Sequence, residues 1–346
     1  MKELLKELSL AFGPSGCEDP VKEIIEKYVK VNMPKNASTY EDGHGGFFVH
    51  VENEGKPKLM MCAHMDEVGF MVTHIEDNGL LRFGCVGGID PIVLAAKRVV
   101  SESGHRGSII AKPVHLLSKE ERNKKPSVDD MLIDIGATSR EDAEKISFVG
   151  EYFTFDSDYV EYGDGYVKCK ALDDRLGCAI MCQVIKDLAR GELESQFDLY
   201  FAFTCREEVG FSGAHSAAWG IRPDYGIVIE SKAVADVAGV SEQKKVCVLG
   251  DGAIVSFADL GAIYDRDFTR YIMELCDKKE IKYQVHRVVS GGNDARHIQL
   301  AGNGCRVALL SAASRYIHSP ADVVHYDDLD AIYKALKEVI SERGLV

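Results

Sequence analysis

The chain has 346 residues, 46% apolar and 28% charged, and its 55 acidic against 41 basic side chains give a formal net charge of −14. That balance excludes a general nucleic-acid binder, which needs a basic footprint, and the length suits one large or two medium domains. No apolar run approaches the ~18 residues that span a bilayer, and the stretch from Met1 to Glu7 is charged throughout, so a cytoplasmic protein without membrane contact is expected.

Two helices are predicted first, over 2–11 and 19–31, with Asp19 as a cap and Pro20 suited to a first helical position. Short apolar runs at 47–51 and 58–63 read as strands, the second buried and ending at His64. From 68 to 165 the texture changes to short β-like runs (69–74, 98–101, 107–111) broken by Asn78-Gly79, Gly87-Gly88 and Gly163-Asp164-Gly165, with a polar stretch at 118–127. After 170, helix and apolar strand alternate. Helices are expected over 175–190, 212–219, 265–279, 293–300 and 326–343, and strands over 197–204, 225–229, 246–249, 282–287 and 305–309. This is the pattern of a mixed α/β sheet flanked by helices, formed by residues 1–67 and 166–346 and interrupted by a β-rich insertion at 68–165. Ten scattered cysteines in a chain without a secretion signal read as reduced core residues.

Chemistry-bearing residues stand where apolar strands stop, the usual ligand position in α/β sheets. His64 and Asp66 follow the run 59–63; His64 suits a metal, and Asp66 suits holding its imidazole tautomer. Asp173 and Asp174 open a helix, where acids are favoured as caps, yet one of them could bridge two cations. Glu207 and Glu208 follow the strand 197–203 and could divide labour between metal ligand and general base. Glu230 ends another apolar run, and His318 sits in a loop before Pro320. Taken in order, His, Asp, Glu, acid and His form the donor set that two zinc-like ions need if one carboxylate bridges.

On the five motifs Ala63–Gly69, Ala171–Gly177, Arg206–Gly210, Ile229–Glu230 and Arg315–Pro320, the chain resembles the glutamyl-aminopeptidase and tetrahedral (TET) aminopeptidase family of two-metal peptidases over essentially its whole length. The resemblance implies a zinc-exopeptidase-like α/β domain with an inserted PDZ-like or barrel dimerisation domain. It also implies two divalent cations, zinc or cobalt with manganese compatible. One cation would be held by His64, Asp173 and Glu230, the other by Asp173, Glu208 and His318, with Asp173 bridging. Glu207 would be the general base to a water shared by the ions, and Asp66 the carboxylate behind His64. A cis peptide between Asp173 and Asp174 follows from the same resemblance, as do peptide substrates with a free N-terminus and a homo-oligomer, a dodecamer, assembled through the insertion.

Two departures stand out. Asn293 in Gly291–Ala295 replaces a common Thr and is expected at a helix cap or lining the substrate, and Glu230 replaces a common Asp. A dinuclear deacylase or carboxypeptidase would use nearly the same donors, because metals do not choose the substrate. A non-enzymatic scaffold with solvated acids is a further alternative. A polysaccharide hydrolase is disfavoured, since adjacent glutamates cannot flank a glycosidic bond from opposite sides. His215 and His297 read as structural, His44, His105 and His325 as loop or surface histidines, and Ser256, Arg287, Arg315 and Tyr316 as weaker pocket candidates.

Overall fold

The computed structural model describes residues 1–342 and Gly344. The helices are α1 (Lys2–Leu10), α2 (Asp19–Val31), α3 (Lys119–Arg122), α4 (Arg140–Ala143), α5 (Leu172–Arg190), α6 (Ser212–Ile221), α7 (Arg266–Lys278), α8 (Ala295–Ile298) and α9 (Tyr326–Ser341). Residue 343, the expected end of the last helix, lies outside the described residues. Strands run β1 (Ala37–Glu41), β2 (Phe47–Val51), β3 (Lys58–His64), β4 (Gly69–Ile75), β5 (Leu81–Val86), β6 (Arg98–Ser101), β7 (Arg106–Ala111), β8 (Met131–Asp134) and β9 (Tyr152–Phe155). They continue as β10 (Val160–Tyr162), β11 (Tyr166–Cys169), β12 (Asp198–Thr204), β13 (Tyr225–Ala233), β14 (Ala253–Val255), β15 (Tyr283–Val285), β16 (Arg306–Ser314) and β17 (Asp322–His325).

Eight strands form one mixed sheet in the order β1-β2-β12-β3-β13-β16-β14-β15. Its centre, β12, β3, β13 and β16, is parallel and covered on both faces, which is why these strands read as nearly unbroken apolar runs. On one face Leu5, Leu8, Ile25, Leu176, Ile180, Phe268 and Leu336 bring α1, α2, α5, α7 and α9 against the sheet. On the other, the small residues Ala214, Ala217, Ala218 and Ala295 let α6 and α8 approach closely.

The remaining strands divide between two units. β4 to β9 close into a barrel in the order β4-β5-β8-β7-β6-β9, which settles the choice between PDZ-like and barrel. Its interior is built on Phe70, packed edge-on against Phe83 and Phe155 at centroid distances of 5.3 and 5.1 Å. β10 and β11, close in sequence to the barrel, pair instead with β17 in a separate three-stranded sheet.

Several expectations are corrected. Residues 246–249 form no strand; the strand of that region is β14, and Cys247 and Leu249 bury in a loop against Ile254, Ala313 and Val323. The helix expected over 293–300 contracts to α8, and the strand expected over 305–309 continues to Ser314. The cap of α2 is Glu18, one residue before Asp19, and Pro20 lies in its first turn. His325 is buried, its Nδ1 accepting the Asp327 N–H as the cap of α9. All ten cysteines are free thiols, eight of them buried.

Candidate active site

Strand register explains why residues far apart in sequence meet. His64 pairs level with Thr204 across β3 and β12, and β13 runs parallel on the other side of β3, so the carboxyl ends of three adjacent strands converge. His64 closes β3, Glu207 and Glu208 follow β12, and Glu230 lies within β13. Asp173 comes from the start of α5 and His318 from the loop between β16 and β17. The Asp173–Asp174 peptide is cis, and Ala171, Arg206, Phe211, Tyr316 and His318 all take positive φ angles of 53–62°. A positive φ costs a non-glycine residue ~1–2 kcal/mol and persists where surrounding contacts over-determine it.

His64 Nε2 lies 3.5 Å from Asp173 Oδ1, 3.6 Å from Glu230 Oε1 and 3.9 Å from Glu207 Oε2. His318 Nε2 lies 3.1 Å from Asp173 Oδ2 and 3.3 Å from Glu208 Oε1. Asp173 thus stands between the two imidazoles. Donor atoms of His64, Asp173 and Glu208 fall within 4.8 Å of one another, as do those of His64, Asp174 and Glu230. The two aspartates nevertheless differ. Asp174 Oδ2 accepts the His64 N–H at 3.3 Å and its Oδ1 accepts the Gly177 N–H at 3.2 Å, so it braces backbone. Asp173 Oδ1 and Glu208 Oε1 are buried atoms without a hydrogen-bond partner among the described residues.

Asp66 sits behind this cluster, fully buried. Its Oδ1 accepts the Glu207 N–H at 3.0 Å, and its Oδ2 accepts the Glu208 N–H at 3.1 Å and the Ser15 hydroxyl at 2.6 Å. His64 Nδ1 lies 3.1 Å from the Asp66 carbonyl and 3.5 Å from its carboxylate, which leaves Nε2 facing the other acids. Glu18 adds a further brace that the sequence did not single out, its Oε1 accepting the Arg206 N–H at 3.2 Å.

Crowding of buried acids governs the electrostatics. Burial pushes Glu207 and Glu230 well above the usual carboxylate range, and Glu208 up to about 8, against the opposing pull of the histidines. Burial also opposes ionisation of Asp173, but the imidazoles of His318 and His64 beside it outweigh that and hold its carboxyl well below its ordinary value. His318 rises to about 10 because Asp173 and Glu208 outweigh its burial. Two unpartnered carboxylate oxygens, two imidazoles and three further acids in one buried cluster fit divalent cations, which bring positive charge to oxygen and nitrogen donors together.

The cluster opens into a cleft of about 650 Å³ whose lining includes Asp173, Glu207, Glu208, Glu230, Lys232 and His318. The segment from Ser290 to Asn293 forms the facing wall, Phe211 and Ile317 add apolar surface, and Gly88 brings the barrel to the rim. Asn293 lines the cleft but is not the cap of α8, which is Asp294, the residue after it. The Asn293 Oδ1 accepts the Ala295 N–H at 2.9 Å, while its Nδ2 donates to Asp259 and Tyr264 at 3.0 and 2.8 Å.

The weaker candidates fare differently. Ser256, Arg287, Arg315 and Tyr316 do not line the cleft, and Arg315 is engaged in a two-pronged pair with Asp236. His215 and His297 lie on α6 and α8 with ring centroids 5.3 Å apart, and neither lines the cleft. Lys232 escaped the sequence reading; alternation along β13 from Glu230 is the signal that would have found it.

A profile of the M42 glutamyl aminopeptidase family matches residues 45–334. The chain is 31% identical to a TET aminopeptidase of a marine-sediment Thaumarchaeota archaeon, with a TM-score of 0.95 over 99% of this chain and 96% of that one. It is 34% identical to the TET1 peptidase of Pyrococcus horikoshii, a protein that can assemble into a tetrahedron or a large octahedral shell, with a TM-score of 0.86 over 99% of each. The lysyl aminopeptidase of Pyrococcus furiosus is 29% identical over 98% of this chain and 96% of its own.

Proposed function

The chain belongs to the M42 glutamyl aminopeptidase family and is a peptidase, and on that premise we propose a dinuclear metal-dependent aminopeptidase that removes N-terminal residues from peptides. In this reading His64, Asp173 and Glu230 hold one divalent cation and Asp173, Glu208 and His318 hold the other, zinc or cobalt with manganese also compatible. The observation that carries it is the position of Asp173 between two imidazoles, with Asp173 Oδ1 and Glu208 Oε1 buried and unpartnered. Asp174, whose oxygens serve backbone N–H groups, is assigned a bracing role.

Cations bound there would supply Lewis acidity toward the scissile carbonyl and toward water. The chain's own part is proton handling and placement. Glu207 faces the cleft 3.9 Å from His64 Nε2 and is assigned as the base that takes a proton from the attacking water and returns it to the leaving amine. Asp66 fixes where Glu207 stands by accepting its backbone N–H, and aligns His64 through Nδ1. The surrounding acids suit the ammonium of a free N-terminus. The insertion at 68–165 is assigned to dimerisation and dimers to a dodecamer, with the assemblies of the Pyrococcus horikoshii relative as support. Among the described residues no helix is long and apolar enough to cross a membrane.

The test is hydrolysis of a matched peptide pair, free and N-acetylated, by metal-loaded enzyme. Release of the first residue from the free peptide alone is the expected result. Cleavage of both, or release from the C-terminus, would move the protein to a deblocking or carboxypeptidase reaction.

A further inference from the structure

His215 and His297 face each other across the contact between α6 and α8, His215 exposed and His297 half-buried. The helices are drawn together by Ala214, Ala217, Ala218 and Ala295, so packed backbone, not long flexible side chains, sets the separation of the two imidazoles. Their Nδ1 atoms lie 3.4 Å apart and their ring centroids 5.3 Å apart, with the ring planes at 80°. The nitrogens are nearer to each other than the centroids by almost the width of a ring, so both point into the space between the rings. Among the described residues neither ring has another hydrogen-bond partner.

A hydrogen bond between the rings accounts poorly for this arrangement, because an N–H donor usually stands within ~3.2 Å of its acceptor. A shared cation accounts for it better, since two nitrogens each ~2.0–2.1 Å from a tetrahedral ion stand about 3.3–3.4 Å apart. Burial, then the neighbouring His215 and Arg296, lowers the pKa of His297 and favours the neutral ring that can act as a ligand.

We propose that His215 and His297 bind a zinc-like divalent cation through their Nδ1 atoms, with water in the remaining coordination positions. The pair shares no residue with the buried cluster of acids and imidazoles, so the site is additional to it. Imidazole nitrogens suit zinc, copper and nickel, whereas calcium and magnesium take oxygen ligands. The ion's role follows from what it bridges. α6 is capped by Phe211, which lines the cleft, lies 5.9 Å from the His297 ring and accepts the His215 N–H on its carbonyl at 3.2 Å. α8 follows directly on the cleft wall formed by Ser290 to Asn293. A cation between the imidazoles therefore clasps the Phe211 side of the cleft to the wall that faces it.

The experiment is equilibrium dialysis followed by elemental analysis of wild-type enzyme, His215→Ala, His297→Ala and the double variant. Free zinc is held at about 0.1 mM, roughly ten times the Kd of about 10 µM expected for two imidazole ligands. Wild type should hold one zinc per chain more than any of the variants, and this difference is independent of how many ions the acid cluster binds. Zinc retained by the double variant shows that the acid cluster has assembled in it. Equal zinc in wild type and the double variant would overturn the proposal. So would an additional ion kept in either single variant, because it would then rest on other donors. Amide hydrogen exchange over residues 287–300 reads the clasp on wild type itself. Raising free zinc from trace levels to about 0.1 mM should slow exchange there by about three- to tenfold in wild type and leave the double variant unchanged. An equal response in both proteins, or none in either, would overturn the clasp.

Discussion

His318 Nδ1 lies 2.6 Å from the carbonyl oxygen of Gly88, so a loop of the barrel fixes the ring whose other nitrogen faces Asp173 and Glu208. A carbonyl can only accept, so this contact keeps a proton on Nδ1, and Nε2 is the nitrogen on which a cation would replace the proton that Asp173 and Glu208 otherwise hold there. His318→Ala is therefore expected to lower the metal content from two ions per chain to one and kcat by at least about 100-fold. Elemental analysis of the purified variant checks this; two ions retained would remove His318 from the donor set.

Glu207→Gln separates proton transfer from metal binding. The amide keeps the size of the side chain, and the backbone N–H that Asp66 accepts is untouched, so the site should assemble. Two ions should be retained while kcat falls by about 10²- to 10⁴-fold, the usual contribution of a positioned general base. Metal stoichiometry and turnover measured on one preparation decide it, and substantial activity would move the base elsewhere.

The site was more legible than the fold around it, for a physical reason. Central parallel strands buried on both faces must be apolar throughout, so the first acid or imidazole at the end of such a run, His64 closing β3 or Glu207 following β12, marks the strand end. Barrel strands such as Met131–Asp134 and Tyr152–Phe155 are only four residues long and pair with partners distant in sequence, which leaves little periodic signal. The expected strand at 246–249 shows the opposite error. Val248 N donates to Gln284 Oε1 and Leu249 N to Asp236 Oδ2, so side chains satisfy the backbone that a neighbouring strand would have paired. Lys232 went unnoticed because reading stopped at the first acid of β13, although the strand runs on to Ala233.

Glu67 joins three parts of the chain, and removing its charge is expected to destabilise the fold. Its Oε1 lies 2.6 Å from Lys170 Nζ and 3.6 Å from the fully buried Arg175, and its Oε2 accepts the Thr154 hydroxyl of β9 at 2.7 Å. The two cations also donate to the carbonyls of Leu8, Ala11 and Gly13 after and within α1. Glu67→Gln leaves both cations buried without a counter-charge, at a cost of about 3–5 kcal/mol. Pairing it with Lys170→Met should cost less than the sum of the single changes, because the second removes a charge that the first stranded. Denaturant unfolding of the four proteins measures the coupling, and strictly additive losses would show that the pair acts independently.

Asp328, which is not one of the proposed metal donors, supplies a pH dependence of stability. Its two oxygens accept the N–H groups of Gly250 and Gly252 at 2.9 and 2.7 Å, yet burial outweighs these bonds and raises its pKa to about 7. The unfolded chain releases this proton near pH ~4. Between these values the folded state holds a proton that the unfolded state has lost, so the stability it contributes is full below about pH 4 and is lost as the pH rises toward about 7. Asp328→Asn mimics the protonated form at every pH and should remove that decline, at a fixed cost of about 1–3 kcal/mol where its amide cannot accept a second N–H. Urea unfolding of both proteins, metal-free, from about pH 5 to about pH 8 checks the sign. Wild type should lose stability relative to the variant as the pH rises, by an amount on the order of a few kcal/mol. Every other titrating group is common to both proteins and cancels in the difference, so parallel curves would mean that Asp328 ionises in the folded state at its ordinary value.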